Sequence, residues 1–174
     1  MKKPRKNETG LVVMPPPEIR NEINMWRRVF KAYDSMITPH ITILYPFIPE
    51  DRWNGSRRMI TNQLKDIRQF EIKLRELGTF VRDESILWLK PEDGGKLTKI
   101  NSRMHVLFSE YIAASALAYV PHLTIGVFDR TEELLKARAT VRKQLKPLTF
   151  TVERLIYAVY EDEGWRIHDT IMLK

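Results

Sequence analysis

The chain has 174 residues, 43% of them hydrophobic, and a formal net charge of +7; that length fits one domain or two small lobes sharing a core, and the apolar content excludes a disordered chain. It contains no Cys, which excludes a disulfide framework, a thiol nucleophile and a zinc–thiolate site. No apolar run approaches the ~18 residues of a membrane span, and "LVVM", after the basic start "MKKPRKNETG", is too short for a secretory h-region. No membrane partner is expected, and a Cys-free chain fits a cytoplasmic location. The basic excess suits polyanions such as RNA, with a solvated surface plus a basic tail as the alternative reading.

In chain order, residues 1–9 read as a disordered basic tail and residues 10–174 as a single bilobal domain. "GLVVMP" is a first strand. "PPPEIRNEINMWRRVFKAYD" opens with prolines, which a first helical turn tolerates. Its Ile19, Ile23, Trp26, Phe30 and Tyr33 recur at helical spacing. "HITILYPF" is a strand closed by Pro46 and Pro49, and "SRRMITNQLKDI" is a helix with Ser56 as its N-cap. "FEIKLRELGTF" and "SILWLKPE" alternate as a hairpin. The Gly94-Gly95 break leads to a helix with the stripe Leu97, Ile100, Met104, Leu107 and Tyr111. After the strand "HLTIGVF", Asp129 and Glu132 resemble a capping box for a helix running to about Lys146. The tail "LTFTVERLIYAVYEDEGWRIHDTIML" alternates as two or three antiparallel strands with "EDEG" as a turn. The predicted class is α+β: two similar lobes, each an antiparallel sheet backed by helices.

Two of the four histidines share one frame, Pro-His-apolar-Thr-Ile, in "TPHITILYPF" and "VPHLTIGVFD". Side chains alternate along a strand, so His40 and Thr42 share one face and Ile41, Ile43 and Tyr45 the other. His122 and Thr124 likewise oppose Leu123, Ile125 and Val127. If the strands meet, two imidazoles and two hydroxyls converge. A neutral imidazole can take a proton while a protonated one gives one, which is general acid–base catalysis. Threonine hydroxyls can donate to an anion held between them. Phosphate fits this set, because in-line displacement needs a base and an acid on opposite sides. No HxH or HExxH spacing marks a metal, and no Gly-rich loop marks ATP, so no cofactor is expected.

The paired "HIT" and "HLT" tripeptides, 82 positions apart from His40 to His122, resemble the 2H phosphoesterase superfamily, and the order of elements resembles it from Leu11 to the C-terminus. That superfamily includes the 2′-5′ RNA ligase-like proteins and cyclic nucleotide phosphodiesterases. The resemblance implies a pseudo-two-fold fold with a central cleft. It also implies metal-independent action on 2′,3′-cyclic phosphates or 2′-5′ phosphodiesters of RNA or nucleotides. By position, His40 and His122 would be the acid/base pair, and Thr42 and Thr124 the phosphate-binding hydroxyls. A monomer is expected. Phe128, with the parity of His122, and Phe47 are candidate base-stacking rings, with plain core as the alternative. Trp88, Tyr157 and Trp165 are further stacking candidates with the same alternative. Arg130 is a candidate phosphate contact or an ordinary solvated Arg. His105 and His168 read as structural. The competing function is a non-catalytic RNA- or nucleotide-binding module using the same cleft.

Overall fold

A computed structural model describes residues 4–30, 38–81, 84–111, 118–162 and 164–174. Its elements are β1 (Thr9–Val13), α1 (Pro17–Phe30), β2 (Ile41–Leu44), a 3₁₀ turn (Glu50–Arg52), α2 (Trp53–Gln63), β3 (Phe70–Val81), β4 (Ser85–Glu92), α3 (Lys96–Leu107), β5 (Leu123–Phe128), α4 (Thr131–Gln144), β6 (Leu148–Val152), β7 (Arg154–Glu161) and β8 (Gly164–Met172). The α+β class is as expected. Tyr33 and Glu163 lie outside the described residues.

Hydrogen bonds link all the strands in the order β6-β3-β4-β5-β2-β1-β7-β8, every pair antiparallel. The two sheets expected from sequence are thus two four-stranded halves of one sheet, joined between β5 and β2 by the single pair Ile41–Leu123. The halves mirror each other strand for strand. β6 and β7 are separated only by Glu153, yet β6 pairs with β3 in one half and β7 with β1 in the other. The sheet therefore curls back on itself. Two backbone bonds close that curl: Leu173 N–H donates to Glu153 O at 2.8 Å and Gln69 N–H to Lys174 O at 2.7 Å.

The helices cover one face of the sheet. Pro17 occupies the first position of α1, where a missing N–H costs nothing, and Ile19, Ile23 and Trp26 are buried beneath it. α1 packs on β5 and α3 on β2, so the helix of each half backs the other half's motif strand. Ile41, Ile43, Leu123 and Ile125 are at most 1% exposed in this core.

Three local expectations change. Ser56 is not an N-cap: α2 begins at Trp53, straight out of the 3₁₀ turn, and Ser56 is buried inside its first turns. Trp53 anchors that start, stacked 3.8 Å from Tyr157 with its indole N–H donating to Asp169. The capping box at Asp129 does not form, because Arg130 holds the N-cap position without a side-chain bond. Residues 5–9, read as part of a loose tail, are tied to β7–β8: Asn7 N–H donates to Tyr160 O, Tyr160 N–H to Glu8 O, and Lys6 pairs with Asp162, the last at 2.7 Å.

Candidate active site

The register at the junction decides what faces what. With Ile41 opposite Leu123 in an antiparallel pair, counting one step along each strand sets His40 opposite Thr124 and Thr42 opposite His122. Each histidine thus lies across from the other motif's threonine, on the face away from the helices. Side chains directly opposite are ~4.5–5.5 Å apart at Cβ and diagonal ones ~7–8 Å, so the two imidazoles are diagonal neighbours.

Both imidazoles are held the same way. His40 Nδ1–H donates to Thr38 O at 2.7 Å, and His122 Nδ1–H to Val120 O at 2.8 Å. Each ring is turned by its own chain two residues back, which fixes the tautomer and leaves Nε2 as the acceptor. Burial pushes the His40 pKa down to about 4, helped by the nearby positive Arg27 and by His122 and opposed by the Thr38 bond. Burial also lowers His122, against the bond to Val120. Both are neutral at pH 7 in the free protein.

Both motif strands bulge directly after the threonine. Val13–Ile41 and Val12–Thr42 pair in step, but Leu11 meets Leu44, leaving Ile43 as the extra residue. On the other side Leu89–Leu123 and Trp88–Thr124 pair in step, but Leu87 meets Gly126, leaving Ile125 extra. A bulge bends a strand and reverses the facing of the residues beyond it. The carbonyls at the bulges accept side-chain donors. Asn101 of α3 donates to Ile43 O at 2.7 Å, and Tyr119 to Thr42 O at 2.8 Å. Arg27 of α1, only 4% exposed, donates to Thr124 O from Nε at 3.2 Å and Nη2 at 2.9 Å. Sequence reasoning missed Arg27 and Asn101. Their signal was there, since each sits four residues after a core position of its helix, Ile23 or Leu97, and is polar.

The reversed facing moves Tyr45 and Phe128, and burial takes Phe47 and Tyr157 out of the secondary candidates. Tyr45, assigned to the core face, is 41% exposed and lines the cleft beside His40. Phe128, a stacking candidate with plain core as the alternative, is core: it is buried against Phe30, 5.8 Å between centroids. Phe47 is 3% exposed between Phe108 and Tyr157 and has no face to offer a base. Tyr157 is fully buried. Arg130 is exposed at the far end of β5, 3.6 Å from Glu132. His168 bonds Glu50 at 2.8 Å, in keeping with a structural role. Trp88 and Trp165 do reach the cleft side. Trp88 lies across from Thr124, and its ring centroid is 6.0 Å from that of His122, with Phe80 5.1 Å from the same imidazole. Trp165 walls a small pocket of about 30 Å³, shared with His40, Thr42, Tyr45, Val12 and Met14.

Residues 15–164 match the family model described as the 2′-5′ RNA ligase superfamily. A protein of Bacillus cereus (strain ATCC 10987 / NRS 248), named "Putative phosphoesterase", is 30% identical over 173 residues, covering 94% of this chain and 95% of its own. Among solved structures, TT0787 of Thermus thermophilus superposes with a TM-score of 0.67 at 16% identity, over 95% of this chain and 97% of that one. LigT of E. coli, complexed with 3′-AMP, gives 0.65 at 16% identity, over 98% and 99%. At such identities the two structures speak for the fold alone.

Proposed function

The chain belongs to the 2′-5′ RNA ligase superfamily, and from that premise we propose that it is a phosphoesterase. Its reaction is hydrolysis, or reversible formation, of a 2′,3′-cyclic phosphate or 2′-5′ phosphodiester bond in RNA or nucleotides, with His40 and His122 as the acid–base pair. The observation that carries the reading is the register at Ile41–Leu123, with each histidine across from the other motif's threonine and each Nδ1–H tied to a carbonyl. The name of the Bacillus cereus relative supports the same class of chemistry.

In the proposed hydrolysis the phosphate sits between the imidazoles, and Thr42 and Thr124 donate to its non-bridging oxygens. One Nε2 takes a proton from water as the water oxygen bonds to phosphorus. The P–O bond to the ribose oxygen breaks in line, and the other imidazole, protonated in the complex, gives its proton to that oxygen. Each proton transfer contributes roughly 10²–10⁴ in rate. The bound anion favours the imidazolium that this step needs, offsetting the burial that keeps both rings neutral beforehand.

The test offers oligoribonucleotides ending in 2′,3′-cyclic phosphate, and 2′-5′-linked dinucleotides, in the presence of EDTA. Turnover that EDTA leaves intact and that His40→Ala or His122→Ala abolishes is the expected result. Salt-sensitive binding without turnover would favour the binding-module reading instead.

A further inference from the structure

Among the described residues, the helices behind the two motif strands each bury one polar side chain, and the two are not alike. Asn101 of α3 meets the β2 half with a neutral amide, donating to Ile43 O at 2.7 Å. Arg27 of α1 meets the β5 half with a cation, donating to Thr124 O from Nε at 3.2 Å and Nη2 at 2.9 Å. Arg27 is 4% exposed and Asn101 7%. The helices hold matching places, since α1 packs on β5 and α3 on β2, so a fixed positive charge lies behind one motif strand where an uncharged group lies behind the other.

The carbonyl that Arg27 takes belongs to a residue with two further ties. Thr124 stands directly before the bulge at Ile125, where the ladder to β4 falls out of step. The register from Ile41–Leu123 also sets it opposite His40. Two N–H groups on one oxygen fix the direction of that carbonyl, and with it the strand that presents the Thr124 hydroxyl on the other face. A charge shielded from water acts over a longer range than one in solvent. Its reach is felt at His40, where Arg27 adds to burial in disfavouring the imidazolium. The other ionisable groups about His40 among the described residues are His122 across the junction, Tyr45, whose hydroxyl donates to Glu8, and Tyr119, whose hydroxyl donates to Thr42 O at 2.8 Å.

We propose that Arg27 is a positioning residue of the reaction: it aims Thr124 at the phosphate through the Thr124 carbonyl, and its charge behind the strand favours the phosphate anion held in front of it. This rests on the phosphoesterase reading above.

The test separates the charge from the strut. Arg27→Gln keeps an amide donor and loses the charge, whereas Arg27→Lys keeps the charge and loses the fork. For each, NMR follows the titration of the His40 imidazole in the free protein, and kcat/KM is measured on a nucleoside 2′,3′-cyclic phosphate at pH 7.5. In Arg27→Gln the His40 midpoint is expected to rise and kcat/KM to fall roughly tenfold. Arg27→Lys is expected to hold the midpoint near that of the wild type and to recover part of kcat/KM. Asn101→Ala, which removes a neutral donor, should leave the midpoint in place. A His40 midpoint or a kcat/KM that Arg27→Gln leaves unchanged overturns the inference, as does an equal rise of the midpoint in Asn101→Ala. In the wild type, which needs no variant to fold, the Arg27 Nε–H signal should shift as inorganic phosphate saturates the site, and a signal that stays in place overturns it too. Each of these outcomes leaves the phosphoesterase reading standing if the wild type turns over the substrate. If the wild type turns over no cyclic phosphate or 2′-5′ bond, that reading falls first and the inference with it.

Discussion

In the half of the sheet built on β2, Thr42 is paired with Val12, and Val12 with Ile156. In the half built on β5, the same places are held by Thr124, Trp88 and Gly78. The backbone is repeated faithfully: the same register, the same bulge after the threonine and the same histidine–carbonyl bond occur on both sides. The cleft-facing side chains differ, a valine and an isoleucine against a tryptophan and a glycine. The chemistry is thus set by what the halves share, and access is set by what they do not. Small residues beside His40 and aromatic ones beside His122 make a candidate site that is symmetric at its two histidines and one-sided beyond them.

Breaking the closed side should cost most. Trp88→Ala removes a side chain that is only 8% exposed, and large-to-small changes of this kind cost about 3–5 kcal/mol. Urea unfolding would read this as a lower midpoint. A midpoint unchanged from wild type would mean that Trp88 does not brace His122. Gly78→Ala attacks the same contact from β3. Its added Cβ would fall within 2.4 Å of three indole atoms, so overpacking of about 1–3 kcal/mol is expected, together with slower turnover. Removing the support behind β5 comes next. Arg27→Met strips the donors from Thr124 O, a loss of about 1.5–3 kcal/mol for a charged hydrogen bond. Asn101→Ala is the matching test behind β2.

Copying the closed side onto the open one sharpens the comparison differently. Val12→Trp, combined with Ile156→Gly to give the indole the room that Gly78 gives Trp88, closes the pocket beside His40, and the expected outcome is a KM for the cyclic phosphate raised roughly tenfold or more. A variant that folds and binds normally would show that the open wall has no part in recognition.

The smallest effect is one of pH. In the unfolded chain both histidines take protons near pH 6.5, whereas in the folded protein burial pushes His40 to about 4 and lowers His122. Between about pH 6.5 and 4 the unfolded state binds more protons, so the stability present above pH 6.5 is lost as the pH falls through that window. The urea midpoint should drop between pH 7.5 and pH 5, and His40→Gln should flatten the drop. An equal drop in the variant would contradict the burial of His40.

How much of this was legible in the sequence varies along each motif. From His40 to Ile43, and from His122 to Ile125, period-two alternation sorts every side chain correctly. One residue later it fails, because the bulge adds a residue to one strand and carries no mark in residue type. Parity alone therefore puts Tyr45 and Phe128 each on the wrong face, by the same backbone event, and for Phe128 the plain-core alternative is the one that holds. The hairpin of β3 and β4 was readable from local alternation. The parting of β6 from β7 was not, since adjacent strands in sequence usually pair and only the curl of the sheet separates them. Arg27 was masked by a helix pattern that counts apolar residues and passes over a cation on the same face.

The central claim is that two motifs from opposite halves form one acid–base unit. A double-mutant cycle on a cyclic phosphate substrate tests it most directly. His40→Ala and His122→Ala should each lower kcat by about 10²–10⁴, and the double variant should be about as slow as the slower single one, because residues that act as a unit are not additive. Losses that multiply, or a single variant that turns over like wild type, would contradict it.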